Sequence, residues 1–363
     1  MLLPEYTKVH NRFRLNGFHY NREGLKEVAY SFIKEGDQFE RYLGDFLMDW
    51  LDSSEIIFLE TSGTTAFPKR MAFKKQALVN SAIATGNFFN VSVGDTALHC
   101  LPANFIAGKM MLIRAMILGF SLDLISPSRN PFHKNEKLYD FVAMTPMQAY
   151  HSLSQMAQIK TLIVGGAPIS FTLQKALLET GVNVYETYGM TETLSHIAVR
   201  TMRDPLGTFK CLPHIKIHQD ERQCLVINAP LLDVIDLVTN DQIEIIDSKT
   251  FRLIGRIDNL INSGGVKLHP EQIEQSLAEI LSHSFFIGSI PDQTLGEKVI
   301  LAIKDQAGSP WEEIAKKIKT FDRLSAYERP KKLLVYSTFE ETHSGKVKRA
   351  KTLALKPIFS LDL

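Results

Sequence analysis

Residues 55–69 read EIIFLETSGTTAFPK. The apolar run 56–59 has the length of a buried strand. It breaks at once into Thr61, Ser62, Gly63, Thr64 and Thr65, and the stretch closes on Pro68 and Lys69. A strand that runs into a turn rich in backbone and hydroxyl donors, with a lysine at its end, suits phosphate oxygens. The order is not that of the common phosphate loop, because Lys69 follows proline and precedes Arg70. Taken alone, the stretch fits a phosphate grip and an ordinary polar loop equally well.

Working outward, short apolar runs alternate with helical patterns as far as residue 189. The strands expected are 56–59, 97–101, 122–125, 141–145, 161–164 and 182–185. The helices expected are 74–89, 108–118, 147–154 and 171–179. This alternation predicts an α/β domain with a mostly parallel sheet. Ligands of such sheets sit at the C-terminal strand ends, so the polar segments after Leu59, Val164 and Tyr185 are expected along one edge. From 197 to 253 the period becomes two, which predicts a small antiparallel β unit. Residues 255–265, GRIDNLINSGG, read as a linker. Beyond them a small α+β domain is expected: a strand into a helix (266–280), a hairpin (285–303), a basic amphipathic helix (311–321), a strand (332–336) and a basic tail, SGKVKRAK. Ahead of residue 55 a helical pattern covers 42–51.

The composition is that of a globular enzyme. Of 363 residues, 45% are hydrophobic and 22% charged, and 41 basic residues balance 40 acidic ones. A net charge of +1 gives no global case for nucleic acid or an acidic membrane. Cys100, Cys211 and Cys224 form no C-x-x-C pair and read as reduced thiols. The opening MLLPEYTKVHNRFRL lacks the apolar core of a signal peptide, and the apolar window 110–120 is interrupted by Arg114 and too short for a bilayer span. A cytoplasmic protein without stable membrane insertion is expected; oligomeric state is not legible.

Three further clusters carry chemistry. In VYETYGMTET, residues 184–193, a strand meets a Tyr-Gly turn and then Thr191 and Glu192. The glutamate suits Mg²⁺ beside phosphate, or the pair caps a helix. Asp241 suits ribose hydroxyls, or marks a turn with Asn240. Lys346, in THSGK, either reaches a developing negative charge or belongs to a solvated tail.

The order of these clusters resembles the adenylate-forming superfamily of acyl-CoA ligases, luciferases and adenylation domains. TSGTTAFPK is similar to its Thr/Ser/Gly-rich loop, and GGAP (165–168) to its adenine-side loop. YGMTE (188–192) matches its most specific motif, and Asp241 its ribose aspartate, with 13 residues between Asp241 and Gly255-Arg256. SGGVKLHPEQIE (263–274) is similar to the loop along the pantetheine channel, and Lys346 falls on the catalytic lysine. The likeness runs from about residue 56 to 349.

The resemblance implies ATP, Mg²⁺ and coenzyme A. It assigns the β- and γ-phosphates to Thr61, Ser62, Gly63, Thr64, Thr65 and Lys69, and the α-phosphate to Thr191. Glu192 would hold the metal. The adenine would lie by Gly166, Ala167, Pro168, Tyr188 and Gly189, and the ribose on Asp241 and Arg256. Gly264 and Gly265 would line the thiol channel. It also implies two domains, 1–257 and 258–363, the second a mobile lid hinged at Asp258, so that Lys346 and the Gly264–265 loop serve successive steps. The acyl side falls to Asn104, Phe105, Lys109 and His196, with Arg200 nearby. Lys109 and His196 are expected to meet a second substrate carboxylate. The short length and motifs are similar to those of the o-succinylbenzoate–CoA ligases of menaquinone synthesis, which implies an aromatic diacid. Another aryl- or acyl-CoA ligase, a carrier-loading domain and an inactive nucleotide-binding descendant stay open. Departures from the pattern are Ala66 for glycine, Glu60, Asn240 for glycine, and a shortened segment ahead of residue 56.

Overall fold

The structure, a computed structural model, describes residues 4–60, 70–133, 136–306, 308–342 and 347–363. Residues 61–69 and Lys346, the expected phosphate loop and catalytic lysine, lie outside the described residues.

A short hairpin, β1 (Arg14–Leu15) and β2 (Phe18–His19), leads into α1 (Arg22–Glu35) and α2 (Gln38–Leu51). Asn21 caps α1 by accepting from the Gly24 N–H at 2.8 Å. The two helices bury Leu25, Ala29, Phe46 and Trp50 in the main core. Each fully buried large apolar side chain there contributes about 1.5–3 kcal/mol.

The strand that opens the hydroxyl-rich loop departs from expectation. β3 (Ile56–Glu60) pairs antiparallel with β4 (Arg70–Lys74) in a separate two-stranded sheet. Ile57 and Leu59 are buried, whereas Ile56 and Phe58 are 37% and 51% exposed. One dry and one wet face is the signature of an antiparallel hairpin. A four-residue apolar run cannot separate that from an internal parallel strand.

After α3 (Lys75–Phe89) the expected alternation holds. β5 (Thr96–His99), α4 (Ile106–Leu118), β6 (Ser121–Leu124), β7 (Tyr139–Met144), α5 (Pro146–His151), β8 (Ile159–Val164), α6 (Phe171–Glu179) and β9 (Asn183–Gly189) follow in turn. The strands lie in the order β9-β8-β7-β5-β6-β1, each parallel to its neighbour. Both faces are covered: Phe141 and Ala143 of β7 enter one core, and Tyr139, Val142 and Met144 the other. The chain changes direction across the sheet at β5, which places a switch-point crevice between β5 and β7.

The antiparallel strands do not form a separate unit. β10 (His196–Thr201) returns beside β9, and β11 (Thr208–Cys211), β12 (Lys216–Gln219), β13 (Cys224–Ala229), β14 (Val234–Asp247) and β15 (Thr250–Arg256) continue the same sheet to thirteen strands. The short turn after β9 lets β10 satisfy its free edge directly.

Residues 257–260 lead to a six-stranded sheet built from β16 (Ile261–Ser263), β17 (Val266–Leu268), β18 (Phe285–Asp292), β19 (Gly296–Lys304), β20 (Lys332–Tyr336) and β21 (Phe359–Asp362). α7 (Pro270–Leu277) and α8 (Trp311–Thr320) occupy their expected places. Of the basic tail, Arg349–Lys351 open α9 (Arg349–Leu353), and β21 follows beyond it. Arg349 donates to the Ile287 carbonyl at 3.1 Å and to Glu274 at 3.0 Å. Charge density alone reads as solvation, and only the tertiary partner reveals burial. No helix among the described residues is long and apolar enough to cross a membrane.

Candidate active site

Three of the predicted segments leave the C-terminal ends of parallel strands and therefore share one sheet edge. Asn104 is exposed and Phe105 half-buried after β5, with Phe105 at the N-cap of α4. Gly166, Ala167 and Pro168 follow β8. The next residue, Ile169, is held there by its N–H donating to Glu186 at 3.2 Å. Glu186 also pairs with its cross-strand neighbour Arg200. Arg200 thus braces the adenine-side loop and is committed to Glu186 rather than free for substrate.

The turn after β9 is tight. A Cβ on Gly189 would lie 2.3 Å from the Ser195 carbonyl, so only glycine lets the chain fold back here. The buried Thr193 hydroxyl accepts from the Met190 N–H at 3.0 Å and reaches the Ser195 carbonyl at 2.8 Å. Thr191 and Glu192 sit in a single 3-10 turn, Thr191–Thr193, both half-buried. Neither side chain is engaged by another described residue. Glu192 faces a cleft of about 430 Å³ between β4 and the start of β14. No group of three or more His, Cys, Asp or Glu among the described residues forms a metal cage. A single free carboxylate fits a hard cation that takes its remaining ligands from phosphate and water, as Mg²⁺ does.

The ribose candidates form a chain of bonds. The Tyr188 hydroxyl donates to Asp241 Oδ2 at 2.5 Å, and Arg256 donates to Asp241 Oδ1 at 3.0 Å. Asp241 is 7% exposed. Burial, and then the Asp241 charge, push the Tyr188 phenol far above its ordinary range, so it stays a donor. Its ring meets Phe209 and Phe251 edge-on at 5.8 and 5.4 Å. Tyr188 therefore combines a core ring with a hydroxyl aimed at the carboxylate.

On the acyl side, Lys109 and His196 have different surroundings. Lys109 lies half-buried, 5.8 Å from the Phe46 ring centre. Burial lowers its pKa, against the pull of Asp49 and Glu60. His196 is buried with both nitrogens occupied: Nε2 by Thr85 at 3.3 Å and Nδ1 by Arg114 at 3.4 Å. Burial and Arg114 hold it well below its usual pKa, hence neutral at pH 7. It offers no cation to a carboxylate, contrary to expectation.

A buried cation of this region is Arg114, to which residue types and spacing assign no role. It is 2% exposed and donates to Thr85 Oγ1 at 3.3 Å and Ser195 Oγ at 2.5 Å. No carboxylate among the described residues pairs with it, and burial pushes its pKa down to about 9. A buried guanidinium without an anion is costly. The available signal was a lone arginine within the otherwise apolar run MLIRAMIL. Gly264 and Gly265 make the exposed turn between β16 and β17 on the smaller sheet, with φ of +60° and +83°.

A profile described as AMP-binding enzyme matches residues 49–227. The chain is 24% identical over 335 residues to a 2-succinylbenzoate–CoA ligase of Enterococcus faecalis, covering 79% of this chain and 67% of that protein. It is 24% identical to the ligase of the same name from Listeria monocytogenes, covering 89% of this chain and 74% of that protein. The chain thus spans about two thirds to three quarters of those relatives. Its fold is similar to that of MenE from Bacillus subtilis, solved with the acyl-adenylate intermediate, with a TM-score of 0.71, 21% identity, and coverage of 83% of this chain and 69% of that one. An AMP-forming acyl-CoA synthetase/AMP-acid ligase II-like protein from Dyadobacter fermentans is 33% identical, with a TM-score of 0.60, and the match covers 90% of this chain and 97% of that one. With that breadth of identity, the chain belongs to the AMP-binding enzyme family.

Proposed function

We propose that this chain joins a carboxylic acid to coenzyme A through an acyl-adenylate. A carboxylate oxygen attacks the α-phosphorus of ATP, the bond to the bridging oxygen breaks, and pyrophosphate leaves. The thiol sulfur then attacks the acyl carbon, the carbon–oxygen bond to phosphate breaks, AMP leaves, and the thiol proton passes to solvent. Positioning and charge stabilisation carry such transfers. Thr191 orients the α-phosphate, Tyr188, Asp241 and Arg256 hold the ribose, and Gly166, Ala167 and Pro168 border the base. Glu192 would hold Mg²⁺, which screens phosphate charge. By resemblance, Thr61, Ser62, Gly63, Thr64, Thr65 and Lys69 grip the outer phosphates, Lys346 bridges carboxylate and α-phosphate, and Gly264 and Gly265 admit the thiol after residues 258–363 turn about Asp258. A cytoplasmic site of action is expected.

The substrate we propose is o-succinylbenzoate. The observation that carries this choice is Arg114: a buried cation beside Ser195 and His196 with no carboxylate partner among the described residues, a place a diacid would fill. Lys109 supplies a second positive charge in the first turn of α4. ATP–pyrophosphate exchange with a panel of mono- and dicarboxylic acids tests both levels. Exchange with monoacids but not diacids refutes the substrate. Exchange with no acid, in the presence of Mg²⁺, refutes the ligase.

A further inference from the structure

The covalent connection between the thirteen-stranded and six-stranded sheets runs through residues 257–260. Polar side chains tie this segment to the large sheet. The Asn240 amide donates to Asp258 at 3.1 and 3.4 Å. Arg256 donates to Asp258 at 2.7 Å while its other terminal nitrogen holds Asp241. Arg222 donates to the Asn240 carbonyl oxygen at 3.4 Å, which orients the amide with its N–H₂ toward Asp258.

The direct contact between the sheets is less well satisfied. α7 rests on Gly255, where a Cβ would lie 2.7 Å from Glu271 Oε2 and 3.1 Å from His269 Nδ1. Both of those atoms are buried without a hydrogen-bond partner among the described residues. Only Glu271 Oε1 is paired, by Asn259 at 2.5 Å. Unpaired buried polar atoms are costly, so this face holds the orientation weakly.

We infer that Asn240 is a positioning residue, a latch that keeps Asp258, and with it the connector, in the orientation seen here. The bond is exposed and single-pronged, strong enough to bias an orientation and weak enough to open when the small domain turns. Arg256 holds Asp258 as well, with a guanidinium that it divides between Asp258 and Asp241, so Asn240 is the one of the two donors not shared with the ribose candidates. What the turn accomplishes rests on the ligase reading above, but the latch itself rests on geometry alone.

All three native cysteines are buried. Glu23→Cys on α1 and Lys317→Cys on α8, both at exposed positions, therefore accept spin labels selectively. Pulsed dipolar spectroscopy on the full chain then reads the distance between the large and small domains. Asn240→Ala is expected to raise the ratio of displaced to docked molecules about three- to tenfold, the effect of losing one solvent-exposed hydrogen bond of ordinary net strength. Asn240→Asp, which sets a second carboxylate against Asp258, is expected to raise it further. The two half-reactions, each measured alone, are expected to change in opposite directions, whereas a general loss of structure lowers both. Unchanged distance distributions in both variants, or parallel loss of both half-reactions, overturn the latch. Shifted distributions in a protein without carboxylate-dependent exchange uphold the latch and overturn the ligase reading instead.

Discussion

Replacing Arg114 by methionine should change stability little and make the protein less able to use a diacid. Its pKa is depressed from 12.5 to about 9 by burial alone. That depression corresponds to roughly 5 kcal/mol held against the charged form. Against this stand three side-chain hydrogen bonds from the charged guanidinium, to Thr85, Ser195 and His196, worth about 1.5–3 kcal/mol each. The two sides roughly cancel, so Tm should change by only a few degrees. Catalysis should move the other way. Charge-assisted bonds to a carboxylate contribute about 1.5–3 kcal/mol, so kcat/KM for o-succinylbenzoate should fall by about 10- to 150-fold. The matched monoacid, with hydrogen in place of the second carboxyl, should be used as well as before. Thermal denaturation and steady-state kinetics on both acids are sufficient. A large fall in Tm together with an unchanged diacid-to-monoacid ratio would refute the reasoning, and would make Arg114 a structural residue whose anion is supplied in some other way.

Tyr188→Phe removes the donor to Asp241 and should raise the KM for ATP about tenfold with little effect on the KM for the acid, measured by exchange kinetics. Lys346→Ala should abolish adenylation yet spare thioester formation from supplied acyl-adenylate; equal loss of both half-reactions would sink that assignment. His99 is buried, bonded through Nε2 to the Gly108 carbonyl at 3.0 Å, and held down to a pKa of about 4 from 6.5. The unfolded chain therefore takes up a proton that the fold refuses, and stability should drop by up to roughly 3 kcal/mol as pH falls from 6.5 to 4. Urea titrations across that window should show a shallower drop for His99→Gln, which keeps an N–H for Gly108.

The sequence by itself determined the alternation of elements, the order of the motifs and two of the loops that share a sheet edge, those after β8 and β9; the third, expected after Leu59, follows β5 instead. These depend on local periodicity, on turn chemistry and on the rule that ligands meet parallel sheets at their C-terminal ends. Tertiary structure decided the rest. It set β3 apart as a half-exposed hairpin, fused the antiparallel strands onto β9, and folded the basic tail over Glu274. It also changed the charges of the acyl side: buried His196 is neutral, and Arg114 is a buried cation with no carboxylate partner among the described residues. Arg114 and His196 stand far apart in the chain, and the charge each carries depends on burial and on which partner lies opposite. Neither property exists until the chain has packed: the lone arginine of MLIRAMIL marks the position, but its partners and the neutrality of His196 come only from packing.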